Sequence, residues 1–350
     1  VEYTVDEGGG GSSDPLPPAK VVYVDVSYSG GSDDGSREKP YTSLAAAVAA
    51  KCGVADNTNR IFDIASGTYT ISTTIAKNST VTQNVSFRGR GSSSTFIQAG
   101  VDFANGKASD CFKLTGFGSL KFEDLTIRHC KYGIRVSCED FTLRRCAFHQ
   151  CGCDDTASNF DFSLTQAQQL TAYGFATDGG ALRVDSADGF VRVEDNYVDS
   201  CNRGLRIGNS VKGGSVKRNH VQKTLQAGIY LSASSYTGSS GCQNFHVSDN
   251  QVINACNNSY LIIGGRNNTV SSNVAKGGWN SGIMGWHCAE FSVSDNLIEK
   301  TNFSIFNGQG VLADAWGAGV VLDGDDDIFA SATYQARITD NVITQPSIGR

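Results

Sequence analysis

Four basic residues and a tyrosine occupy equivalent places in a short recurring segment, a small residue followed by apolar–any–apolar. The copies are Gly133-Ile134-Arg135-Val136, Ala181-Leu182-Arg183-Val184, Gly204-Leu205-Arg206-Ile207 and Gly228-Ile229-Tyr230-Leu231. Later ones are Tyr260-Leu261-Ile262-Ile263, Gly282-Ile283-Met284-Gly285 and Gly319-Val320-Val321-Leu322. Side chains alternate faces along a strand. The flanking apolar residues then point inward and the middle residue points out. Stacking the segments gives an outward column of Lys113, Arg135, Arg183 and Arg206, then Tyr230, Ile262, Met284 and Val321. Neighbours in such a column lie about 4.8 Å apart, and like charges directly opposite destabilise a sheet. The cations therefore need partners. An anionic polymer is one, because Arg forks match carboxylates and sulfates. Local pairing with Asp178, Asp185, Asp188 or Glu139 is the other.

Catalysis would need an acid or base beside these cations. The insertion Gly152–Thr177 carries Asp154, Asp155 and Tyr173 and adjoins Asp178. Loops on a rigid scaffold often hold function. Asp185, two residues beyond Arg183, shares its outward face. A carboxylate pair would serve glycoside hydrolysis. Alternatively, Arg183 and Arg206 would neutralise a uronate while Tyr230 or His220 takes the C5 proton, a β-elimination. In the plainest reading the acids only cap turns. Trp279, Trp286 and Trp316, with His287, would stack on sugar rings or pack beneath the insertion Phe303–Ala318; Trp286 joins Lys113 and Arg135 as a substrate-binding candidate. The acidic run 323–327 offers oxygen ligands for Ca²⁺ without EF-hand spacing, and a solvated loop fits it equally. The Cys151/Cys153 pair has no second pair to complete a zinc site. No metal ligands are assigned.

These side chains need a repeating scaffold, and an asparagine supplies its signature. Asn196, Asn219, Asn250, Asn273, Asn296 and Asn341 recur in VRVEDNYV, GSVKRNHV, FHVSDNQV, NTVSSNVA, FSVSDNLI and ARITDNVI. The usual step is 23 residues, with one of 31 and one of 45. A period of this size marks a solenoid whose units cannot bury their own apolar faces. The units read as strands and turns, which predicts an all-β, right-handed parallel β-helix with the Asn amides stacked inside. Gly and Asn would supply left-handed corners. Upstream, Cys146 stands where later units place Asn. About eight to ten rungs are expected over residues 80–345, as one domain spanning 21–350. Residues 1–20, with their Gly-rich then Pro-rich run, read as a flexible linker suited to an upstream domain or self-association. Residues 21–79 would form an N-terminal cap, with Thr42 or Ser43 capping a helix Leu44–Lys51.

The order YVD…GSDDGS…KPYTSLAAAVAA…SGTYTI, followed by the DNxV rungs, resembles the pectate-lyase-like right-handed β-helix superfamily over about residues 21–345. That resemblance implies the fold. The superfamily holds polysaccharide lyases, glycoside hydrolases, uronate epimerases and phage tail spikes. The galacturonan hydrolase set (NTD, DD, GHG, RIK) is absent as a set, and so is the pectate lyase RxPxxR. Tyr173-Gly-Phe175 is similar to the YGFDPH motif of alginate epimerases, but Ala176-Thr-Asp178 replaces its acidic and His residues, so the activity is not carried over.

Composition agrees: forty Gly, five Pro and one Met in 350 residues suit a turn-rich β chain. A net charge of −6 argues against general nucleic-acid binding. The chain begins with Val, so the missing leader carries no information about compartment. Sequons at Asn78, Asn84, Asn257, Asn267 and Asn302 point to secretion or arise by chance from an Asn/Ser/Thr-rich composition. Of eleven Cys, Cys130, Cys151 and Cys201 share one rung position, with Cys256 one residue out of register. They would lie near one another, within disulfide range, or serve as small hydrophobes. Two function classes follow. One is a secreted enzyme, lyase or hydrolase, acting on an acidic polysaccharide. The other is a non-catalytic extracellular or virion-surface module such as a tail spike, adhesin or filament subunit.

Overall fold

Short apolar runs closed by Gly, Asn or Asp become strands, and three strands make one turn of the coil. In one rung these are Gly180–Ala187, Phe190–Glu194 and Tyr197–Cys201. The computed structural model describes residues 19–53, 58–80, 82–99, 109–153, 178–208, 211–232, 241–278, 280–286, 288–299, 319–323 and 336–344. Each strand pairs in parallel with its equivalent one turn on: Arg183 with Arg206, Val193 with Val216 and Val198 with Val221. The result is a three-faced parallel β-helix. The face carrying Gly180–Ala187 is termed the first, that of Phe190–Glu194 the second and that of Tyr197–Cys201 the third. In two early rungs, Phe112–Glu123 and Tyr132–Arg144 run round the corner between first and second faces without a break.

Alternation decides what lies inside. Leu182, Val184, Val191, Val193 and Val198 are wholly buried. Phe62, Phe87 and Phe122 stack along the axis with ring centroids 5.0 and 4.7 Å apart. The six asparagines also point inward and form one continuous ladder. Asn196 Nδ2 donates to Asn219 Oδ1 at 2.9 Å, and the same bond repeats through Asn250, Asn273 and Asn296 to Asn341. Each amide also donates to a backbone carbonyl of the preceding rung, as Asn250 does to Val216 at 2.8 Å. The Cys146 N–H bonds Asn196 Oδ1 and closes the upstream end.

Two expectations about the corners are corrected. The left-handed residue is not the ladder Asn but the residue before it: Asp195, Arg218, Asp249, Ser272, Asp295 and Asp340 have φ between 54 and 58°. The Asn is thereby released to aim its amide inward. Corner residues instead pair outside the coil, Arg145 with Asp124 and Arg218 with Asp195, both at 2.7 Å. Nor do Gly133, Gly204, Gly228 and Gly282 adopt positive φ. They provide room: an added Cβ would meet the Ala181 carbonyl oxygen at 2.6 Å from Gly133 and that of Gly228 at 2.0 Å from Gly204.

Parallel pairing also starts earlier than residue 80. Lys20–Val24 pairs with Arg60–Ile64, which pairs with Asn84–Arg88. The helix Leu44–Lys51 forms as expected, with Ser43 Oγ accepting the Ala46 N–H at 3.3 Å. It buries Leu44, Ala47 and Val48 against Lys20–Val24, Gly67–Ile71 and Ile75–Asn78. Residues 1–18 lie outside the described residues. Among the described residues no helix is long and apolar enough to cross a membrane.

All eleven cysteines are buried free thiols. Cys130 and Cys151 bring their sulfurs to 3.5 Å, and the Cys151 N–H approaches Cys201 Sγ at 3.4 Å. Burial pushes the thiols of Cys130, Cys151 and Cys201 well up, and those of Cys52, Cys138, Cys146, Cys242, Cys256 and Cys288 to about 12. The thiolate is the reactive form. An aromatic disulfide reagent is therefore expected to modify few thiols of the native protein and all eleven once denaturant is added. Rapid native labelling of all eleven would contradict the buried stack.

Candidate functional site

The first face carries the basic column in the expected register. Lys113 pairs with Arg135, Arg135 with Arg183, Arg183 with Arg206 and Arg206 with Tyr230. One member changes: Tyr230 pairs with Leu261, not Ile262, which is wholly buried. The small residue of that copy is Ser259, so the alternation runs one place earlier than the apolar string implies. The column continues through Met284 to Val321.

The acids reach the cations by two devices. Asp185 is an extra residue in a bulge, since Val184 pairs with Val136 but Ser186 with Ser137. A bulge re-aims a side chain beside a site. Here it places the carboxylate against Arg135 Nε at 2.7 Å and against Arg183 Nε. Asp178, at the corner entering the same rung, lies 2.9 Å from Arg183, 2.8 Å from Arg203 and 3.9 Å from Arg206. The buried Tyr132 donates its hydroxyl to Asp178 at 2.5 Å. Partial burial opposes ionisation of Asp178, but the Tyr132 hydrogen bond and the Arg183 and Arg203 charges overcome it and hold the carboxyl below its ordinary value. Burial, reinforced by Asp178, pushes the Tyr132 hydroxyl up.

Sequence reasoning missed three participants. Arg203 stands in the corner before its strand, outside the recurring segment, and its Nε donates to Gln226 at 2.6 Å. Tyr132 meets Asp178 across 46 residues of chain. Asp110, buried at the upstream end, has its carboxyl pushed up by burial against the opposing fields of Arg135, Lys131 and Lys113. Adjacency in the coil, and no local motif, brings these together. The Arg206 guanidinium lies 5.4 Å from the Tyr230 ring centroid and reaches Ser232 at 3.4 Å.

Other candidates fall elsewhere. His220 lies on the third face, stacked on Tyr197 at 5.4 Å and bonded to Gln251 at 2.8 Å, so it cannot act as base for the column. Trp286 is on the first face, two residues beyond Met284 and two rungs past Tyr230. Asp154, Asp155, Tyr173, Trp279, His287, Trp316 and the run Asp325 to Asp327 lie outside the described residues. Asp188 and Glu139 are exposed. Among the described residues no three His, Cys, Asp or Glu side chains are grouped to hold a metal ion.

The three-faced coil with a charged column on one face defines a parallel β-helix protein. The chain belongs to the right-handed β-helix family: the model for the right handed beta helix region matches residues 54–275. No curated protein matches the sequence. Similar solved structures include the A-module of mannuronan C-5 epimerase AlgE6 of Azotobacter vinelandii, at 12% identity and TM-score 0.40 over 87% of this chain and 88% of that one. The Dettilon tailspike protein is 12% identical, TM-score 0.41, over 91% and 68%. Pectin methylesterase PemA from Erwinia chrysanthemi is 10% identical, TM-score 0.37, over 86% and 93%.

Proposed function

We propose that the protein binds an acidic polysaccharide along the first face, outside the cell or on a virion surface. One observation carries this reading. Among the described residues, Lys113, Arg135, Arg183, Arg203 and Arg206 are gathered with three carboxylates, Asp110, Asp178 and Asp185, an excess of positive charge on a protein of net charge −6. The rung repeat spaces these charges at intervals a sugar chain can follow. Trp286 extends the same face.

Of the two reactions considered, β-elimination suits the site better than hydrolysis. Hydrolysis needs a protonated carboxyl as general acid within reach of the sugar; the arginines favour ionised Asp178, and Asp110, whose carboxyl burial pushes up, is itself buried. In elimination the arginines would neutralise the uronate. Tyr230, in its phenolate form, would then take the C5 proton, the C5–H electron pair would form the C4–C5 double bond as the C4–O4 bond breaks, and the leaving O4 would take a proton from the Tyr230 hydroxyl so formed or from water.

The test is a panel of uronic-acid polymers, read by binding, by ultraviolet absorbance of the unsaturated end and by new reducing ends. Binding with absorbance identifies a lyase, and binding without either signal identifies a non-catalytic glycan-binding module. Replacing Arg183 and Arg206 together with Ala is expected to weaken binding by a few kcal/mol at most, from about 1.5–3 kcal/mol per hydrogen bond to a charge. The effect should shrink as salt rises, because exposed charges are screened. Unchanged binding in the double variant would remove the column from the reading.

A further inference from the structure

Three guanidinium groups converge on one carboxylate at the centre of the column. Arg183, Arg203 and Arg206 all lie within 4 Å of Asp178. The three arginine side chains are 19, 16 and 21% exposed, and that of Asp178 is 40% exposed. The cations form a floor that is less exposed than the carboxylate it holds.

That floor has anchors besides Asp178. Arg183 bonds Asp185, Arg203 bonds Gln226, and Arg206 bonds Ser232 and lies over the Tyr230 ring. Held in this way, the guanidiniums stay gathered when the carboxylate leaves, and preorganised donors of this kind favour an incoming anion. Two monoanions, Asp178 and Asp185, also leave the four monocations they touch, Arg135, Arg183, Arg203 and Arg206, underbalanced. A further group, the Tyr132 hydroxyl at 2.5 Å, helps to retain Asp178 in place.

We propose that Arg183, Arg203 and Arg206 form a subsite for the carboxylate of one uronate residue, and that Asp178 is its built-in occupant, which the polymer's carboxylate displaces. The side-chain carboxylate and the uronate carboxylate are the same chemical group, so the arginines that hold one can hold the other. This rests on the glycan-binding reading above and names the group recognised. It assigns Asp178 the role of competitor rather than of acid or base, and Tyr132 that of the catch that retains it.

The sign of one substitution decides the matter. An occupied subsite lowers apparent affinity by the fraction of time it is free, so occupancy near nine-tenths masks about ten-fold in affinity. With oligogalacturonate as probe, Asp178→Asn is expected to bind about ten-fold more tightly than the wild type, and Tyr132→Phe to bind more tightly by a smaller factor. If Asp178 instead holds the arginines in order, Asp178→Asn binds more weakly. Weaker or equal binding, with the wild type binding, overturns this inference and leaves the glycan reading standing. A second measurement serves if neither protein binds the polymer, which would overturn the glycan reading. The thermal midpoint of Asp178→Asn is followed in sodium acetate and in sodium chloride at equal ionic strength. An acetate-specific rise, absent from the wild type, supports the carboxylate subsite. No acetate-specific rise overturns it.

Discussion

Asn250→Ala is expected to destabilise the protein by about 3–5 kcal/mol, the upper end of single-residue effects. Asn250 Oδ1 accepts from both the backbone N–H and the side-chain amide of Asn219, each at 2.9 Å. Its own amide donates to the Val216 carbonyl at 2.8 Å and to Asn273 Oδ1 at 3.0 Å. Truncation leaves these partners in a dry interior. Each orphaned buried group costs about 1–3 kcal/mol, and the cavity adds to that. Asn250→Asp tests whether volume or donors matter. It keeps the size, loses both donated bonds and places a buried charge, so it should be no better than Ala. At the downstream end of the ladder, the partly exposed Asn341 should tolerate Ala with less loss. Urea unfolding midpoints measure all three. A loss under about 1 kcal/mol for Asn250→Ala would show the ladder to be incidental, because a single net hydrogen bond is worth about that much.

Gly204→Ala is the second large effect. The new Cβ would sit 2.0 Å from the Gly228 carbonyl oxygen and 3.0 Å from Val221 Cγ1. The first of these is backbone in the next rung, fixed by parallel pairing on both sides. Relief requires the rungs to part, so a loss of about 3 kcal/mol or more is expected, above the usual range for overpacking. Gly213→Ala is the control. Its Cβ would meet only the Phe190 ring, at 3.4 Å, and its φ is not left-handed. There Ala should be neutral or stabilising by up to about 1 kcal/mol, since Gly loses more chain entropy on folding. Equal losses at both positions in thermal or urea unfolding would refute the spacing argument.

Much of this architecture is written in period and alternation. The Asn repeat announces the ladder, and the alternating segments place Lys113, Arg135, Arg183, Arg206 and Tyr230 in one column. What escapes is whatever lies off the strands or between registers. Arg203 occupies a corner and Tyr132 adjoins one, where no alternation rule says which way a side chain faces. Asp185 owes its position to a bulge that appears only when two strands are aligned. Leu261 is misplaced because a string of four apolar residues, Tyr260 to Ile263, offers two registers of equal pattern. The glycine requirement is legible as a need for Gly, but its cause, close approach of the next rung rather than a left-handed φ, is a tertiary fact.

The ladder has one more property. Its five amide-to-amide bonds are all 2.9–3.0 Å long, yet they join residues 23, 31, 23, 23 and 45 apart. The bond is blind to how much chain intervenes. Closing a loop twice as long costs only about 0.6 kcal/mol more, whereas a slip of one residue within a strand turns every inward side chain outward. Length and register are thus decoupled in this molecule. The stretches between strands are places where the chain can grow, shrink or be exchanged, while inside a strand each residue must be counted.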